Sequence, residues 1–197
     1  MSSAYDQSGY QVRFEWGAAG LARLAPADVV VVVDVLLGTT AVVDAVAAAE
    51  VPSAGLDPAL TEVVTAAGDA VVLLASLRNA SAVARAVLAE QERRAARTSV
   101  AVVAVGDGAR FAVEDQFGAG AVIDALTVLG IDHTSPEAAA AGEAFRGLRR
   151  AMRHLLTASA SGRELLDRGR RDEVLAAAEV DAAQVVPVLR GEAFVAT

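Results

Sequence analysis

The stretch from Val29 to Val35 reads Val-Val-Val-Val-Val-Asp-Val, and it decides the expected fold. A run of β-branched residues this apolar is typical of a strand that is covered on both faces, as in a parallel sheet flanked by helices. Asp34 interrupts the run near its end, and a buried carboxylate needs a partner because burying a charge is costly. The stretch therefore predicts a central strand that carries a candidate functional carboxylate to the edge of a sheet.

Strand, loop and helix alternate along the rest of the chain. Further strands are predicted at Gln11 to Trp16 (an edge or antiparallel strand), Ala70 to Ala75, Ser99 to Val105 and Val185 to Leu189. Helices are predicted at Thr39 to Glu50, Leu60 to Ala67, Asn79 or Ser81 to Arg97, Glu114 to Leu129, Pro136 to Leu156 and Gly162 to Leu175, with a loop at Pro52 to Pro58 and a turn at Gly106 to Gly108. This order predicts an α/β protein, a single three-layer α/β/α domain over residues 1–197 with a mixed, largely parallel sheet.

The composition excludes several classes of protein. The chain has 54% hydrophobic but only 4% aromatic residues, which predicts an ordered domain with an aliphatic core. It has no cysteine, which excludes disulfides and thiolate metal sites and favours a cytoplasmic location. The net charge of −8 and the lack of a basic stripe argue against nucleic acid as a partner. Neither a signal peptide nor a membrane span is expected, and the Ala-rich helices of the C-terminal half allow a homo-oligomer.

Three carboxylates are candidates for one metal site. Asp34 ends a buried strand, and Glu114 and Asp115 follow the turn after a later strand. If these strands are neighbours, the side chains meet at one edge of the sheet, and such oxygen ligands suit Mg²⁺. Two other interpretations stay open: Asp34 could cap the next helix, and acidic residues in a first helical turn complement the helix dipole.

The candidate substrate-binding residues are polar or cationic and lie near expected helix starts. Arg78, Asn79 and Ser81 offer a guanidinium, an amide and a hydroxyl to a small anionic, phosphorylated substrate. Ordinary helix capping explains these residues equally well. The further candidates of this kind are Thr39, Thr40, Ser161 and Arg163.

Several segments of the chain occur in the same order as the motifs of a known family. They are Val-Arg-Phe-Glu-Trp-Gly (Val12 to Gly17), Val-Val-Asp-Val-Leu-Leu-Gly-Thr-Thr (Val32 to Thr40), Ser-Leu-Arg-Asn-Ala (Ser76 to Ala80), Gly-Asp-Gly-Ala-Arg-Phe-Ala-Val-Glu-Asp (Gly106 to Asp115) with Gly-Ala-Gly (Gly118 to Gly120), Ser-Ala-Ser-Gly-Arg-Glu-Leu (Ser159 to Leu165), and Asp181 before Val-Val-Pro (Val185 to Pro187). Together they resemble the 2-phosphosulfolactate phosphatase (ComB-like) family, in its actinobacterial branch. The segment from Gly106 to Asp115 is the most specific of them.

The resemblance implies an α/β sandwich that hydrolyses a phosphate ester of a small sulfonated or carboxylated acid with Mg²⁺ as cofactor, as in coenzyme M biosynthesis. In the corresponding mechanism Asp34 is the catalytic residue, and Asp34, Glu114 and Asp115 hold the metal ion. Arg78, Asn79 and backbone N–H groups then bind the phosphate. Such chemistry depends on positioning and electrostatics and needs no Ser-His-Asp set.

Two departures from the family pattern open an alternative function. Leu37 stands where the first signature normally carries an Arg, and the usual Gly-Glu-Arg and Asn-Ser-Pro motifs are not recognisable between Glu50 and Ala70. Losing a phosphate clamp could leave a folded family member without catalysis. The alternative to a phosphatase is therefore a non-catalytic protein that binds an anionic metabolite.

Overall fold

The computed structural model describes residues 3–36, 38–48, 57–106, 110–191 and 193–196. Within these ranges the strands form one sheet in the order β1-β4-β2-β3-β5-β6. The strands are β1 (Val12–Trp16), β2 (Val29–Val33), β3 (Val71–Ala75), β4 (Val100–Ala104), β5 (Pro187–Arg190) and β6 (Ala193–Ala196).

Strands β1, β4, β2 and β3 are parallel, with Val29 of β2 level with Val100 of β4 and Val71 of β3. Strands β3 and β5 are antiparallel, as are β5 and β6. The prediction of a mixed, largely parallel sheet is thus confirmed. Strand β1 was predicted to be an edge strand or an antiparallel strand. It lies at an edge of the sheet and runs parallel to its neighbour β4.

Helices cover the two faces of the sheet. The described helices are α1 (Gly17–Leu21), α2 (Thr39–Ala47), α3 (Pro58–Ala66), α4 (Ala80–Arg94), α5 (Val113–Val128), α6 (Pro136–Leu148), α7 (Met152–Ala158), α8 (Ala160–Asp167) and α9 (Arg171–Ala177). None of these helices is both long enough and apolar enough to cross a membrane. The predicted loop at Pro52 to Pro58 lies mostly outside the described residues, as does most of the turn at Gly106 to Gly108.

The alternating side chains of β2 divide the core into two layers. Val31 and Val33 belong to the cluster that includes α4, α5 and α6 side chains such as Val83 and Phe117. Val30 and Val32 belong to the opposite cluster, with side chains of α1, α2 and α3. All of these valines are at most 1% exposed, as expected of a strand covered on both faces. The three-layer α/β/α prediction is confirmed.

The chain leaves β2 and β4 toward opposite faces of the sheet. Helix α2, which follows β2, packs in one core layer, whereas α5, which follows β4, packs in the other. Because β2 and β4 are neighbours, their C-terminal ends form a topological switch point, where open α/β sheets bind ligands. The fold itself therefore points to this edge of the sheet.

Two glycines set helix α5 close to its neighbours. A Cβ at Gly118 would lie 2.6 Å from a methyl of Val35 and 2.7 Å from one of Val33. A Cβ at Gly120 would overlap the carbonyl oxygen of Ala141 and lie 2.8 Å from Cβ of Phe145 on α6. Contact at these distances is possible only without a side chain, so Gly118 lets α5 pack against the end of β2 and Gly120 lets it pack against α6.

Candidate active site at the ends of strands β2 and β4

Asp115, in the first turn of α5, bridges the ends of the two strands. Its Oδ1 accepts a hydrogen bond from the N–H of Val35, just after β2, at 2.7 Å. Its Oδ2 accepts one from the N–H of Gly106, just after β4, at 2.9 Å. The Asp115 side chain is almost completely buried, and its two bonds satisfy the N–H groups of the fully buried Val35 and the half-buried Gly106. Asp115 therefore fixes the start of both loops at the switch point.

The other two predicted metal ligands, Asp34 and Glu114, are close enough to Asp115 for their charges to affect its pKa. Burial raises the pKa of Asp115 well above its ordinary value, and the negative charges of Asp34 and Glu114 raise it further. The bonds from Val35 and Gly106 lower the pKa but do not offset these causes. Asp34 is 5% exposed and Glu114 3%. The structure thus brings the three predicted carboxylates into one buried neighbourhood, and their binding of a metal stays a prediction.

The backbone around Asp34 is held by the residues that follow it. Its N–H donates to Oγ1 of Thr39 at 3.1 Å, and its carbonyl accepts from the N–H of Thr39 at 3.1 Å. A Cβ at Gly38 would overlap the Asp34 carboxylate, which shows how closely the loop passes the side chain. From the sequence, Thr39 or Thr40 is expected to be the N-cap of α2. The N-cap is instead Gly38, and both threonines lie in the first turn of the helix.

Thr39 and Thr40, predicted to bind substrate, have hydroxyls that bond to the backbone. Thr39 is fully buried, and its hydroxyl donates to the carbonyl of Ala75 at 2.6 Å and also contacts the carbonyl of Asp34. The hydroxyl of Thr40 donates to the carbonyl of Val35 at 2.7 Å. These hydrogen bonds connect the end of β2 to α2 and β3, which accounts for both side chains.

Arg78 lies at the same edge of the sheet, in a 3-10 turn (Leu77–Asn79) that follows β3. Its Nε donates to Oδ1 of Asp44 on α2 at 3.0 Å, and its Nη1 donates to the carbonyl of Ala176 on α9 at 2.8 Å. Its side chain is only 16% exposed, whereas that of Asp44 is 46% exposed. The guanidinium therefore joins three segments of the chain.

Asn79 and Ser81 make hydrogen bonds within the protein at the start of α4. Asn79 is fully buried, accepts from the N–H of Ser76 at 2.9 Å and donates to two backbone carbonyls. Ser81 donates from its N–H and its hydroxyl to the carboxylate of Asp181, at 2.8 and 2.7 Å. Asp181, which sequence reasoning assigned no role, is thus the acceptor that covers the start of α4. Asn79 is the N-cap residue of α4, but its side chain caps the preceding 3-10 turn, and Ser81 lies in the first turn of α4 and does not cap it. Contact of either residue with a substrate stays a prediction.

Ser161 and Arg163, the remaining candidates, lie on α8. This helix starts at the N-cap Ser159, whose hydroxyl accepts from the N–H of Gly162 at 3.1 Å. Ser161 is buried and Arg163 is exposed, and α8 packs against α7 and α9. The described contacts therefore support the predicted helix start, and the role of these two residues in binding stays untested.

A cavity of about 450 Å³ lies at the ends of β1 and β4, and sequence reasoning missed it. Its walls include Trp16 at the end of β1, Val105 just after β4, and Arg110 with Phe111 before α5. The rings of Trp16 and Phe111 are 5.0 Å apart between centroids. The signal available in the sequence was the Arg-Phe pair within the most specific of the quoted segments.

The donor chemistry of the site fits a magnesium ion held by few protein ligands. Among the residues that the structure describes, no three His, Cys, Asp or Glu side chains are grouped so that they could hold a metal ion. Both oxygens of Asp115 already accept backbone hydrogen bonds, and Asp34 takes part in a further interaction, so metal binding by the three carboxylates stays a prediction. Mg²⁺ commonly binds through one or two carboxylates and completes its shell with water and substrate phosphate. Two carboxylates are enough for such a site.

Fold and site together define an open α/β protein with a buried acidic cluster at its topological switch point. The model of one protein family matches residues 59–192 of the chain, and its description is 2-phosphosulpholactate phosphatase. The chain belongs to this family of phosphatases. The family resemblance seen in the sequence is confirmed.

Proposed function

We propose that the protein is a Mg²⁺-dependent phosphatase that hydrolyses a phosphate ester of a small anionic acid similar to 2-phosphosulfolactate. The observation that carries the proposal is the burial of Asp34, Glu114 and Asp115 side by side at the switch point of the sheet. A buried carboxyl group whose pKa is raised by neighbouring carboxylates, as that of Asp115 is, is typical of functional sites. Because the chain belongs to a phosphatase family, we assign hydrolysis of a phosphate ester to this site.

The carboxylates have different roles in the proposed site. Asp34 and Glu114 would hold the metal ion, which, when bound, offsets phosphate charge and orients an attacking water. Asp115 keeps the loops after β2 and β4 in place through the N–H groups of Val35 and Gly106. Because phosphoryl transfer depends chiefly on positioning and charge, a site of this kind needs no covalent nucleophile.

Arg78 is the proposed phosphate ligand. Its bond to Asp44 is partly open to solvent, and such ion pairs contribute little to stability. An incoming phosphate can therefore replace Asp44, while the bond to the carbonyl of Ala176 keeps the guanidinium in place. Arg78 thereby contributes a charge that Leu37 does not supply.

The test is release of inorganic phosphate from 2-phosphosulfolactate with and without Mg²⁺. We expect Asp34→Asn to lower kcat/KM by about 100-fold or more, as when a charged group of a transition-state site is removed. Removal of the metal with a chelator should have a comparable effect. Asp28→Asn, the same substitution at the other end of β2, is the matched control and should leave turnover unchanged. Full turnover by the Asp34 variant would exclude the proposal.

Gly38→Ala tests the same site without removing a charge. The added methyl group would overlap the Asp34 carboxylate, so the carboxylate must move. A displacement of about 1 Å can cost on the order of 100-fold in rate. We therefore expect a marked loss of turnover, with circular dichroism showing a folded chain. Normal turnover would mean that the position of Asp34 is unimportant.

One set of observations favours the second candidate, a non-catalytic member of the family that binds an anionic metabolite. Arg78 bonds to Asp44 and Ala176, and Asn79 is fully buried, so two predicted phosphate ligands are already engaged. This candidate requires thermal stabilisation by sulfolactate without any phosphate release. Mg²⁺-dependent turnover would reject it. The cytoplasmic location, the homo-oligomer and the role in coenzyme M biosynthesis stay predictions.

A further inference from the structure

We propose that the cavity walled by Trp16, Val105, Arg110 and Phe111 binds the organic part of the substrate and prefers a hydroxy acid with one anionic group and an aromatic side chain. The inference rests on the proposed function, because it places the substrate's phosphate at the acidic cluster next door. It also departs from the strongly charged substrate that the family description names.

The cavity and the acidic cluster share a segment of backbone. Val105 forms part of the cavity wall, and its N–H donates to the carbonyl of Val33 at 2.8 Å, which fixes it to the end of β2. The next residue, Gly106, donates its N–H to Asp115. A ligand in the cavity therefore lies one residue away from the bridge that holds the site together.

Helix α3 connects the cavity to Asp34 from the other side. Ala59 lines the cavity, and the neighbouring Leu60 is fully buried. A Cβ at Gly38 would lie 3.4 Å from a methyl of Leu60 and would overlap the Asp34 carboxylate. The loop carrying Asp34 and the wall carrying Ala59 thus meet at the same place.

The aromatic wall of the cavity is suited to an apolar group. Phe111 is 65% exposed, which is unusual for a large aromatic side chain, and its ring is tilted by 47° against Trp16. Gly106 has a positive φ of 74°, and a Cβ there would lie 3.3 Å from the Trp16 ring, so the loop passes close over the indole. Two rings held in this way present a surface on which a third can pack.

The charges of the cavity suit a single anionic group. Among its lining residues that the structure describes, Arg110 and Glu62 are the charged ones. Arg110 already takes part in another interaction, but its guanidinium has five N–H donors and can also bind one carboxylate. A second anionic group would meet Glu62 and apolar walls. Sulfolactate carries both a carboxylate and a sulfonate, but phenyllactate carries a carboxylate and a ring on the same hydroxy-acid skeleton. The volume of about 450 Å³ lies within the usual range for small-molecule sites and leaves room for the ring.

Binding can be measured independently of catalysis because Trp16 is the one tryptophan of the chain. Titration with 3-phenyllactate should change the tryptophan fluorescence in a saturable way, with a Kd at least about tenfold lower than that of 3-sulfolactate. Phe111→Ala should remove most of this preference, and Arg110→Gln should weaken binding of phenyllactate but not of uncharged 3-phenylpropanol. Val128→Ala, at an apolar residue that is 79% exposed on α5, is the matched control and should change nothing.

Turnover then separates this inference from the proposed function. The wild-type chain should hydrolyse the phosphate ester of 3-phenyllactate with a higher kcat/KM than 2-phosphosulfolactate, and Phe111→Ala should reverse that order. Saturable binding of phenyllactate without any turnover would support the subsite and reject the phosphatase. Turnover of 2-phosphosulfolactate without binding of phenyllactate, or equal binding of both acids, would overturn the subsite and keep the phosphatase.

Discussion

Strands β2 and β4 are joined by an aspartate at each end, and the two aspartates differ in their surroundings. At the N-terminal ends, Oδ2 of Asp28 accepts from the N–H and the hydroxyl of Ser99, at 2.8 and 2.7 Å. At the C-terminal ends, Asp115 accepts from the N–H groups of Val35 and Gly106. A hydrogen-bonded aspartate thus connects β2 and β4 at both ends of the central strand pair.

The charges nearby differ in sign. Burial would raise the pKa of Asp28, but the hydrogen bonds from Ser99 and the positive charge of Arg94 outweigh it, so the pKa is lowered. Burial and the charges of Asp34 and Glu114 raise the pKa of Asp115. Asp28 therefore belongs to an ion pair, whereas Asp115 lies among like charges. From this contrast we predict that the C-terminal end of the strand pair, and not the N-terminal end, is important for function.

The largest effect is expected for Asp115→Asn. An asparagine offers one acceptor oxygen, so its NH₂ group must face the N–H of either Val35 or Gly106. A buried donor left without an acceptor costs about 1–3 kcal/mol, and we expect the free energy of unfolding in urea to fall by this amount. Turnover should fall as well, by about 100-fold, because both loops at the switch point lose their anchor.

The control for this variant lies on the same helix. Asp124 forms a partly exposed ion pair with Arg146, so Asp124→Asn should change the free energy of unfolding by less than about 1 kcal/mol and leave turnover unaffected. An Asp115→Asn protein with wild-type stability would show that the bridge between the strand ends contributes nothing. Wild-type turnover in that protein would remove Asp115 from the site.

A smaller effect is expected for Asp28→Asn. The new side chain keeps an oxygen for Ser99 but loses its charge interaction with Arg94, and the Asp28 side chain is 27% exposed. We expect a loss of about 1 kcal/mol in urea unfolding, since the pair is partly screened by solvent. Turnover should stay at the wild-type level. A loss of turnover in Asp28→Asn would mean that the N-terminal ends of β2 and β4 are as important for catalysis as their C-terminal ends.

The architecture was predictable where a local pattern specified it. The run from Val29 to Val33 is apolar on both faces because helices cover both faces, and that pattern is present in the sequence itself. The carboxylates of Asp34 and Asp115 were predictable for the same reason, since each directly adjoins a recognisable strand or helix. Helix α1 and strand β6 were not predicted, because five and four residues respectively are too few to show a period.

Partners that are distant in the sequence could not be predicted. Ser81 and Asp181 are separated by 100 residues, and only the packing of the last turns of the chain against the start of α4 brings them together. The cavity likewise combines Trp16, Val105 and Phe111 from three segments. For residues such as Asn79 the residue type suggested an anion site, but the tertiary structure uses its amide to bind backbone groups.

The smallest effect is expected in the pH dependence of stability, where the lowered pKa of Asp28 determines the sign. A carboxyl group with a lowered pKa in the folded state adds stability above its unfolded pKa, which is about 3.9, and loses it as the pH falls through the folded value. Urea unfolding at pH 5 and at pH 3 should therefore show a smaller acid-induced loss for Asp28→Asn than for the wild-type chain. Equal losses in wild type and Asp28→Asn would mean that Ser99 and Arg94 do not stabilise the charged form of Asp28. The aspartates at the two ends of the strand pair would then not differ in their electrostatic surroundings.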